Sequence, residues 1–269
     1  MTLIGLAALV FAGTLSAQPR HQWLDAEGRP LPFRDDDAIL EFMRTAEVVK
    51  ESPIGTGVNQ SVRVTLEKNG VRAHAIFREV NHEERSATIN YTVYRLFADR
   101  YLFECAAYEL AKLIGMPYVP PAALRTIRGR KGSVQIWIED ALDEDGDEFQ
   151  PPSALEWVEQ IWDMYLFDNL VYNIDRNPGN ILVTPDYRLW LIDHTRAFQF
   201  KHNLLNDRVV RVRRAIWDRL NALSEDDLED ALGPYLTPAE MGSVIERRKV
   251  LSRRVDELVA ERSADAVFY

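Results

Sequence analysis

The sequence has little cysteine. Among its 269 residues only Cys105 carries a thiol, so the chain can form neither an intramolecular disulfide nor a cysteine-rich metal site. Cys105 lies within an apolar helical pattern, where a buried structural thiol is expected more often than a nucleophile. The sequence also lacks internal repeats and low-complexity tracts. These absences exclude disulfide scaffolds and repeat architectures.

Basic residues are fewer than acidic ones, with 32 Lys and Arg against 42 Asp and Glu. The formal net charge is -10, which argues against a nucleic-acid partner, because such a partner requires a broad basic face. The same charge disfavours adsorption to anionic lipid. Hydrophobic residues make up 46% of the chain and charged residues 28%, so the chain can bury a core. Its length suits one large domain or two lobes.

Long hydrophobic runs are also scarce. The clearest one, residues 3–17, is shorter than the roughly 20 residues that span a bilayer. It suits the core of a signal peptide, here residues 1–17, although no Lys or Arg precedes it. A helix packed on the domain and an uncleaved anchor are the alternatives. We expect export to a periplasm or beyond the cell if the signal is real, with no stable membrane span after cleavage, and a cytoplasmic location otherwise.

Periodicity then divides the rest of the chain. Residues 18–45 are predicted as a linker and a short helix capped by Asp35, Asp36 or Asp37. Residues 46–140 are predicted as a β-rich N-lobe, and residues 141–269 as a helical C-lobe. Within them we expect strands at 46–50, 61–66 and 71–77, a hairpin at 124–138, and helices at 100–114, 153–172, 207–223, 225–232 and 237–261.

Two turn signals and two irregular stretches complete this outline. Asn69-Gly70 is the strongest short hairpin signal in the chain. Gly55-Thr56-Gly57 lies between strands and is a candidate phosphate loop, although a lone Gly-x-Gly is usually only a turn. Residues 79–98 show no clear period. The acid-rich residues 140–148 fit no calcium-loop template and favour a solvated loop.

Three polar residues carry the chemistry. Asp175 follows a long apolar helix, Asn180 comes five residues later, and Asp193 follows two short apolar strands at residues 181–183 and 189–192. A hairpin of those strands would bring Asn180 and Asp193 to one metal ion. A kinase-type site needs one Asp for the attacking hydroxyl, and an Asn and a second Asp for divalent ions. Singly, each could instead be a cap, a turn residue or a strand-end acid, but their order favours the site.

These motifs carry a resemblance. The chain resembles the atypical protein-kinase-like superfamily, which includes phosphatidylinositol 3-/4-kinase-like, HipA-type and Golgi casein-kinase-like proteins, and most closely its bacterial members. The similarity spans residues 46–200. It rests on the loop Asp175-Arg-Asn-Pro-Gly-Asn180, on Ile192-Asp193-His194, on the helix that contains Glu104, and on Ala75-Ile-Phe77-Arg78.

The resemblance implies an α+β, two-lobed kinase-like fold, with a small antiparallel β lobe plus one helix and a mainly helical C-lobe. It implies ATP with Mg²⁺ or Mn²⁺ as cofactors. Asp175 would be the catalytic residue, and Asn180 and Asp193 the metal ligands. The nucleotide would lie against Gly55, Thr56, Gly57, Arg78 and Glu104, while Asp168 and Asn173 would brace the loop.

The sequence departs from the family pattern at two places. Arg78 stands where the family has Lys, and an Arg is a larger, differently shaped cation than a Lys. His194-Thr195 follows Asp193 in place of Phe-Gly. For His194 we expect a packing or hydrogen-bonding role ahead of an acid-base role.

Three functions remain open from the sequence. The first is an ATP-dependent kinase that transfers the γ-phosphate to a hydroxyl of an unknown protein or small molecule. The second is a nucleotide-binding pseudokinase that acts as a regulatory scaffold, which an exported location without ATP would favour. The third is a kinase-like protein that transfers AMP.

Overall fold

The computed structural model describes residues 21–54, 61–89, 91–142 and 153–269. The predicted signal peptide at residues 1–17, the turn at Gly55, Thr56 and Gly57, and most of the acid-rich stretch after residue 142 lie outside the described residues. The strands, in chain order, are β1 (Glu47–Pro53), β2 (Val62–Lys68), β3 (Val71–Arg78), β4 (Asn81–Ile89), β5 (Thr92–Arg100), β6 (Ala122–Ile127), β7 (Arg130–Ile136), β8 (Ile181–Val183) and β9 (Leu189–Leu191).

Helices dominate the second half of the chain. The first helix precedes the sheet, and the Asp35 side chain accepts a hydrogen bond from the Ala38 amide at its start, which confirms the predicted cap. The helices are α1 (Asp36–Thr45), α2 (Leu102–Ile114), α3 (Leu155–Val171), α4 (Arg214–Ala222), α5 (Glu225–Leu232), α6 (Pro238–Arg262) and α7 (Ala264–Val267).

An antiparallel sheet of five strands, in the order β1-β2-β3-β7-β6, forms the N-terminal half. The β2–β3 turn is Asn69-Gly70, where both residues have positive φ, 53° and 77°. That geometry matches the right-handed twist of the two strands, so the predicted hairpin is confirmed. The predicted hairpin at residues 124–138 also forms, and its β7 strand pairs with β3.

A separate two-stranded hairpin, β4–β5, covers most of residues 79–98, the stretch whose sequence shows no clear period. Most side chains of β4 are exposed, so the strand has no buried face to impose an alternation. Tyr94 and Phe97 of β5 pack instead on Tyr172, which precedes the Asp175 loop. The sequence shows no strand pattern here because the hairpin is held in place by packing on Tyr172 and is not part of the five-stranded sheet.

Helix α2 behaves as its pattern predicts. Its apolar stripe is buried against the sheet, and Gly115 closes the helix with φ of 71°, in the left-handed region that favours glycine. Cys105 is fully buried, and burial raises the pKa of its thiol. The prediction of a buried structural thiol is therefore confirmed. The raised pKa favours the protonated thiol, and the thiolate is the form that acts as a nucleophile.

The C-terminal half differs from its sequence-based outline at two helix starts. Helix α3 begins after Ala154 with no side-chain cap, one residue later than the predicted cap at Ser153. Helix α4 begins only at Arg214, because Val212 bridges in parallel to Phe268 and holds the preceding segment extended. Helices α5 and α6 lie at the predicted segments, and each starts at a capping box, with Ser224 and Thr237 as the capping residues.

The predicted α+β organisation, a small antiparallel β lobe plus one helix followed by a mainly helical C-terminal half, is confirmed by these elements. The division at residues 140 and 141 stays a prediction. Within the described ranges, no helix has the length and apolar character needed to cross a membrane.

The Asn69-Gly70 turn generates a stability prediction. Gly70→Ala should destabilise the protein by about 1 kcal/mol, because an L side chain is strained at that φ although the space is open. Gly242 lies inside α6, also with open space around it, and Gly242→Ala should stabilise by up to about 1 kcal/mol. Urea denaturation measures both changes, and equal shifts in one direction would contradict the assigned turn.

Candidate nucleotide and metal site

A cavity of about 690 Å³ is lined by residues of the five-stranded sheet, of the Asp175 loop and of the β8–β9 hairpin. This volume lies within the range of small-molecule sites, roughly 300–1,000 Å³. Part of its wall is apolar and suits a planar base, and includes Ile54, Ile76, Ile136, Ile138, Leu182 and Ile192. The polar wall contains Arg78, Asp175, Asn180, Asp193 and Arg196.

The last residue of β3 and the first turn of α2 meet at this cavity. The Arg78 Nε atom lies 3.6 Å from Glu104 Oε1, and both side chains are buried. The Glu104 carboxylate also accepts a 2.8 Å hydrogen bond from the His194 backbone amide and one of 3.4 Å from Gln135 Nε2. Its complete burial excludes the alternative of a solvated side chain at the helix start.

The environment of Glu104 keeps it ionised. Burial alone would raise the pKa of this carboxyl group, since it disfavours the charged form. The charge of Arg78 and the contacts of His194 outweigh burial and lower the pKa of Glu104 to about 2. The pair therefore presents a fixed cation, Arg78, at the edge of the cavity.

Asp193 lines the cavity beside that cation. Its Oδ1 atom lies 3.7 Å from Arg78 Nε and accepts a 3.0 Å hydrogen bond from Thr195 Oγ1. The backbone of Asp193 has φ of 55°, a left-handed conformation that is uncommon for a non-glycine residue. Held backbone strain of this kind clusters at ligand and active sites, which fits a carboxylate aimed at a ligand.

The predicted hairpin β8–β9 forms and brings Asn180 beside Asp193. Ile181 pairs with Leu191, and the Ile192 amide donates to the Asn180 carbonyl at 3.2 Å. The Asn180 side chain donates from Nδ2 to the Asp175 carbonyl at 2.7 Å. This bond orients the side chain and leaves the amide oxygen, Oδ1, as a possible ligand.

These oxygens suit a hard divalent cation. Mg²⁺ and Mn²⁺ prefer carboxylate and carbonyl oxygens, and Mg²⁺ commonly takes one or two protein ligands, with phosphates and waters completing its shell. Asp193 and Asn180 supply such a pair. Over the described part of the chain, no three His, Cys, Asp or Glu residues cluster as a self-sufficient metal site. A metal here would therefore be shared with a phosphate ligand.

Asp175 faces the cavity from the loop after α3. Its side chain is 37% exposed, and its Oδ1 accepts a hydrogen bond from Asn177 Nδ2 at 3.1 Å. Its backbone amide donates to Asn173 Oδ1, and Asn173 in turn contacts Asp168, so the expected bracing contacts are present. Arg196 Nη1 lies 3.4 Å from Asp175 Oδ2. The structure thus brings Arg78, Glu104, Asp175, Asn180 and Asp193 to one site.

Sequence reasoning missed Arg176. Its guanidinium is buried, binds Asp168 at 3.0 Å, and donates to the carbonyls of Asn180 and Ile192 at 2.6 and 2.9 Å. It also contacts His194 Nε2 at 2.9 Å. The available signal was an acid, Asp168, in an apolar helix, which requires a buried partner. Arg176 connects the Asp175 loop to the turn that contains Asp193.

His194 supports the site from within. It is fully buried, packs edge-on against Phe167, and accepts from Arg176, which can only donate. Its Nδ1 atom therefore carries the proton and lies 3.6 Å from Glu104 Oε2. These contacts place His194 in packing and hydrogen bonding, away from the cavity.

Comparisons with known proteins bear on the fold. No protein-family model and no curated sequence matches the chain. Among solved structures, hydra Fam20 with sugar has a TM-score of 0.65 at 16% identity, covering 86% of this chain and 91% of its own. The Golgi casein kinase has a TM-score of 0.63 at 14% identity, covering 88% and 78%. The chain shares the kinase-like fold of these solved structures.

A further neighbour is bacterial. The Helicobacter pylori proinflammatory kinase CtkA matches with a TM-score of 0.50 at 10% identity, covering 83% of this chain and 97% of its own. The Golgi casein kinase has also been solved with Mn/ADP bound, at a TM-score of 0.61 and 14% identity, covering 87% and 78%. At these identities the likeness establishes the kinase-like fold, and the chemistry has to be argued from the residues.

The lowered pKa of Glu104 generates a pH prediction. A carboxyl group with a depressed folded-state pKa stabilises the protein above its unfolded pKa, here about 4.5, and loses that contribution as pH falls towards 2. Glu104→Gln should therefore be less stable than wild type by about 3 kcal/mol at pH 7, and this difference should shrink below pH 4.5. Urea denaturation at stepped pH measures it.

The exposed Glu261→Gln is the matched control for that series, since it removes the same charge from the surface of α6. Its stability should stay within about 0.5 kcal/mol of wild type at every pH. A Glu104→Gln deficit that does not change with pH would show that packing, and not ionisation, carries the effect.

Proposed function

We propose that this chain binds ATP with Mg²⁺ or Mn²⁺ in the cavity and transfers the γ-phosphate to a hydroxyl group of a protein or small molecule. The observation that carries this proposal is the convergence of Asp175, Asn180, Asp193 and Arg78 on one cavity, with the buried Glu104 behind Arg78. Phosphoryl transfer depends on positioning and on charge neutralisation, and these residues supply both kinds of group.

Each residue has a role in that reaction. The acceptor hydroxyl oxygen forms a bond to the γ-phosphorus while the bond from that phosphorus to the β–γ bridging oxygen breaks, and the electron pair leaves with ADP. Asp175 orients the hydroxyl and accepts its proton. A divalent ion held by Asn180 and Asp193 would neutralise phosphate charge. Arg78, fixed by Glu104, would contact phosphate oxygens, and Gly55, Thr56 and Gly57 would cover them.

A second candidate, a nucleotide-binding pseudokinase, is favoured by one observation. Arg78 lies almost equally far from Glu104 and Asp193, at 3.6 and 3.7 Å. The guanidinium of Arg78 is so close to Asp193 that it competes with a metal ion for the negative charge of that carboxylate. The amine of a Lys in a different position need not compete in this way. Under this reading the site binds nucleotide without efficient turnover.

The setting of the activity is part of the proposal. A net charge of -10 supports a partner other than nucleic acid. The N-lobe and C-lobe would divide at residues 140 and 141. Export to a periplasm or beyond the cell would follow if residues 1–17 act as a signal peptide, and ATP supply would then decide between kinase and pseudokinase.

Labelled ATP tests the reaction class. The purified chain is incubated with γ-labelled or α-labelled ATP and Mg²⁺ or Mn²⁺, with candidate acceptors from its own host. We expect label transfer from γ-labelled ATP alone. Transfer from α-labelled ATP would indicate AMP transfer, and binding without transfer of either label would favour the pseudokinase.

Asp193→Asn tests the metal site directly. This change removes the charge of the main metal ligand but keeps its shape, so MgATP affinity should fall at least about tenfold. Wild type should gain about 2.7 kcal/mol of stability at a MgATP concentration 100 times its Kd, and the variant should lose most of that gain. Asp256→Asn, an exposed position on α6, should behave as wild type. Unchanged MgATP binding in Asp193→Asn would reject the site.

A further inference from the structure

Arg196 occupies a position next to the reacting groups that the roles above do not use. It follows the metal-binding turn and lines the cavity with Asp175 and Asp193. Its Nε atom donates to Asp99 Oδ2 at 2.8 Å, and Asp99 is 5% exposed at the end of β5. Its Nη1 atom lies 3.4 Å from Asp175 Oδ2. The β4–β5 hairpin therefore anchors this guanidinium beside the catalytic carboxylate.

Arg196 has more hydrogen-bond donors than it uses within the described residues. Nε and Nη1 have partners, whereas Nη2 has no hydrogen-bond acceptor in the part of the chain that the structure describes. The side chain is 26% exposed, so these donors remain accessible to a ligand. Arg176, by contrast, is buried and spends its donors on Asp168, His194 and two carbonyls.

Arg196 is also the cation on the acceptor side of the cavity. Among the described lining residues only Arg78 and Arg196 are positively charged; Arg78 contacts Glu104 and Asp193, whereas Arg196 contacts Asp175. Burial opposes the charge of Arg196, but the bond to Asp99 and the charges of Asp175 and Asp193 outweigh it and raise its pKa. The guanidinium stays charged where phosphate would arrive.

We propose that Arg196 binds the γ-phosphoryl group of the nucleotide and stabilises its charge during transfer, with Asp99 as its positioning residue. This inference rests on the proposed function. The transferred group must lie between the hydroxyl held by Asp175 and the metal held by Asp193, which is the gap that Arg196 borders. An arginine supplied from the same chain can stabilise that charge in phosphoryl transfer. Its long contact with Asp175 would give way to phosphate oxygens, freeing that carboxylate for the hydroxyl.

The test compares two nucleotides that differ by the γ-phosphoryl group. MgADP and the magnesium complex of an ATP analogue with a non-hydrolysable β–γ bond are titrated calorimetrically into wild type and Arg196→Met. Loss of a charge-assisted contact should weaken binding of the ATP analogue about tenfold and change MgADP affinity less than about twofold. Arg253→Met, an exposed arginine on α6, is the matched control and should leave both affinities unchanged.

Two further variants keep the test decisive. Arg196→Lys retains a charge without the two-pronged guanidinium, and should lie between wild type and Arg196→Met for the ATP analogue. It also carries the comparison alone if Arg196→Met does not fold. Asp99→Asn should weaken binding of the ATP analogue more than that of MgADP, because it releases the Arg196 anchor.

The outcomes separate this inference from the proposed function. Wild type that binds both nucleotides, with Arg196→Met unchanged or weakened equally for both, would overturn the role of Arg196 and leave the nucleotide site standing. Wild type that binds neither nucleotide would overturn both proposals. A loss confined to the ATP analogue supports Arg196 as the γ-phosphoryl contact.

Discussion

The geometry of the site depends on the ion pair and the hydrogen bonds that the buried guanidinium of Arg176 makes. It joins Asp168 on α3 to the carbonyls of Asn180 and Ile192 at the two ends of the β8–β9 hairpin, and contacts His194 in the turn beyond. A buried ion pair contributes little net stability but is costly to break, about 3–5 kcal/mol when one partner is removed. Here the contacts of Arg176 hold the Asp175 loop and the turn that contains Asp193 in one arrangement.

A second set of buried contacts links that arrangement to the sheet. The Glu104 carboxylate receives the His194 amide on one side and faces Arg78 on the other. Buried charges thus alternate in sign from Asp168 through Arg176, and from Glu104 to Arg78, with His194 between the two pairs. Low local dielectric strengthens the contacts within such a buried network, although Arg78 Nε and Nη1 and His194 Nδ1 have no hydrogen-bond partner among the described residues. The contacts of Glu104 orient Arg78 and the turn that contains Asp193, and pre-oriented charged groups suit charge stabilisation.

Local signals predicted much of this molecule. The turn at Asn69-Gly70, the apolar stripe of α2 and its Gly115 cap depend on contacts within a few residues, and all appear as predicted. The β4–β5 hairpin did not appear in the sequence pattern, because its exposed strand has no alternation and its packing partner, Tyr172, is remote in sequence. The start of α4 was misplaced for a similar reason, since Phe268 holds Val212 extended from the far end of the chain.

By itself the sequence determined the candidate residues Asp175, Asn180 and Asp193, because their spacing around two short strands is a local property. It also determined the departure at Arg78. The tertiary structure alone decided that Glu104 is buried and ionised beside that cation, that Arg176 points inward to Asp168, and that Arg196 stands beside Asp175 with donors free. These facts depend on burial and on charges brought together from distant segments, and a linear pattern of residues contains neither.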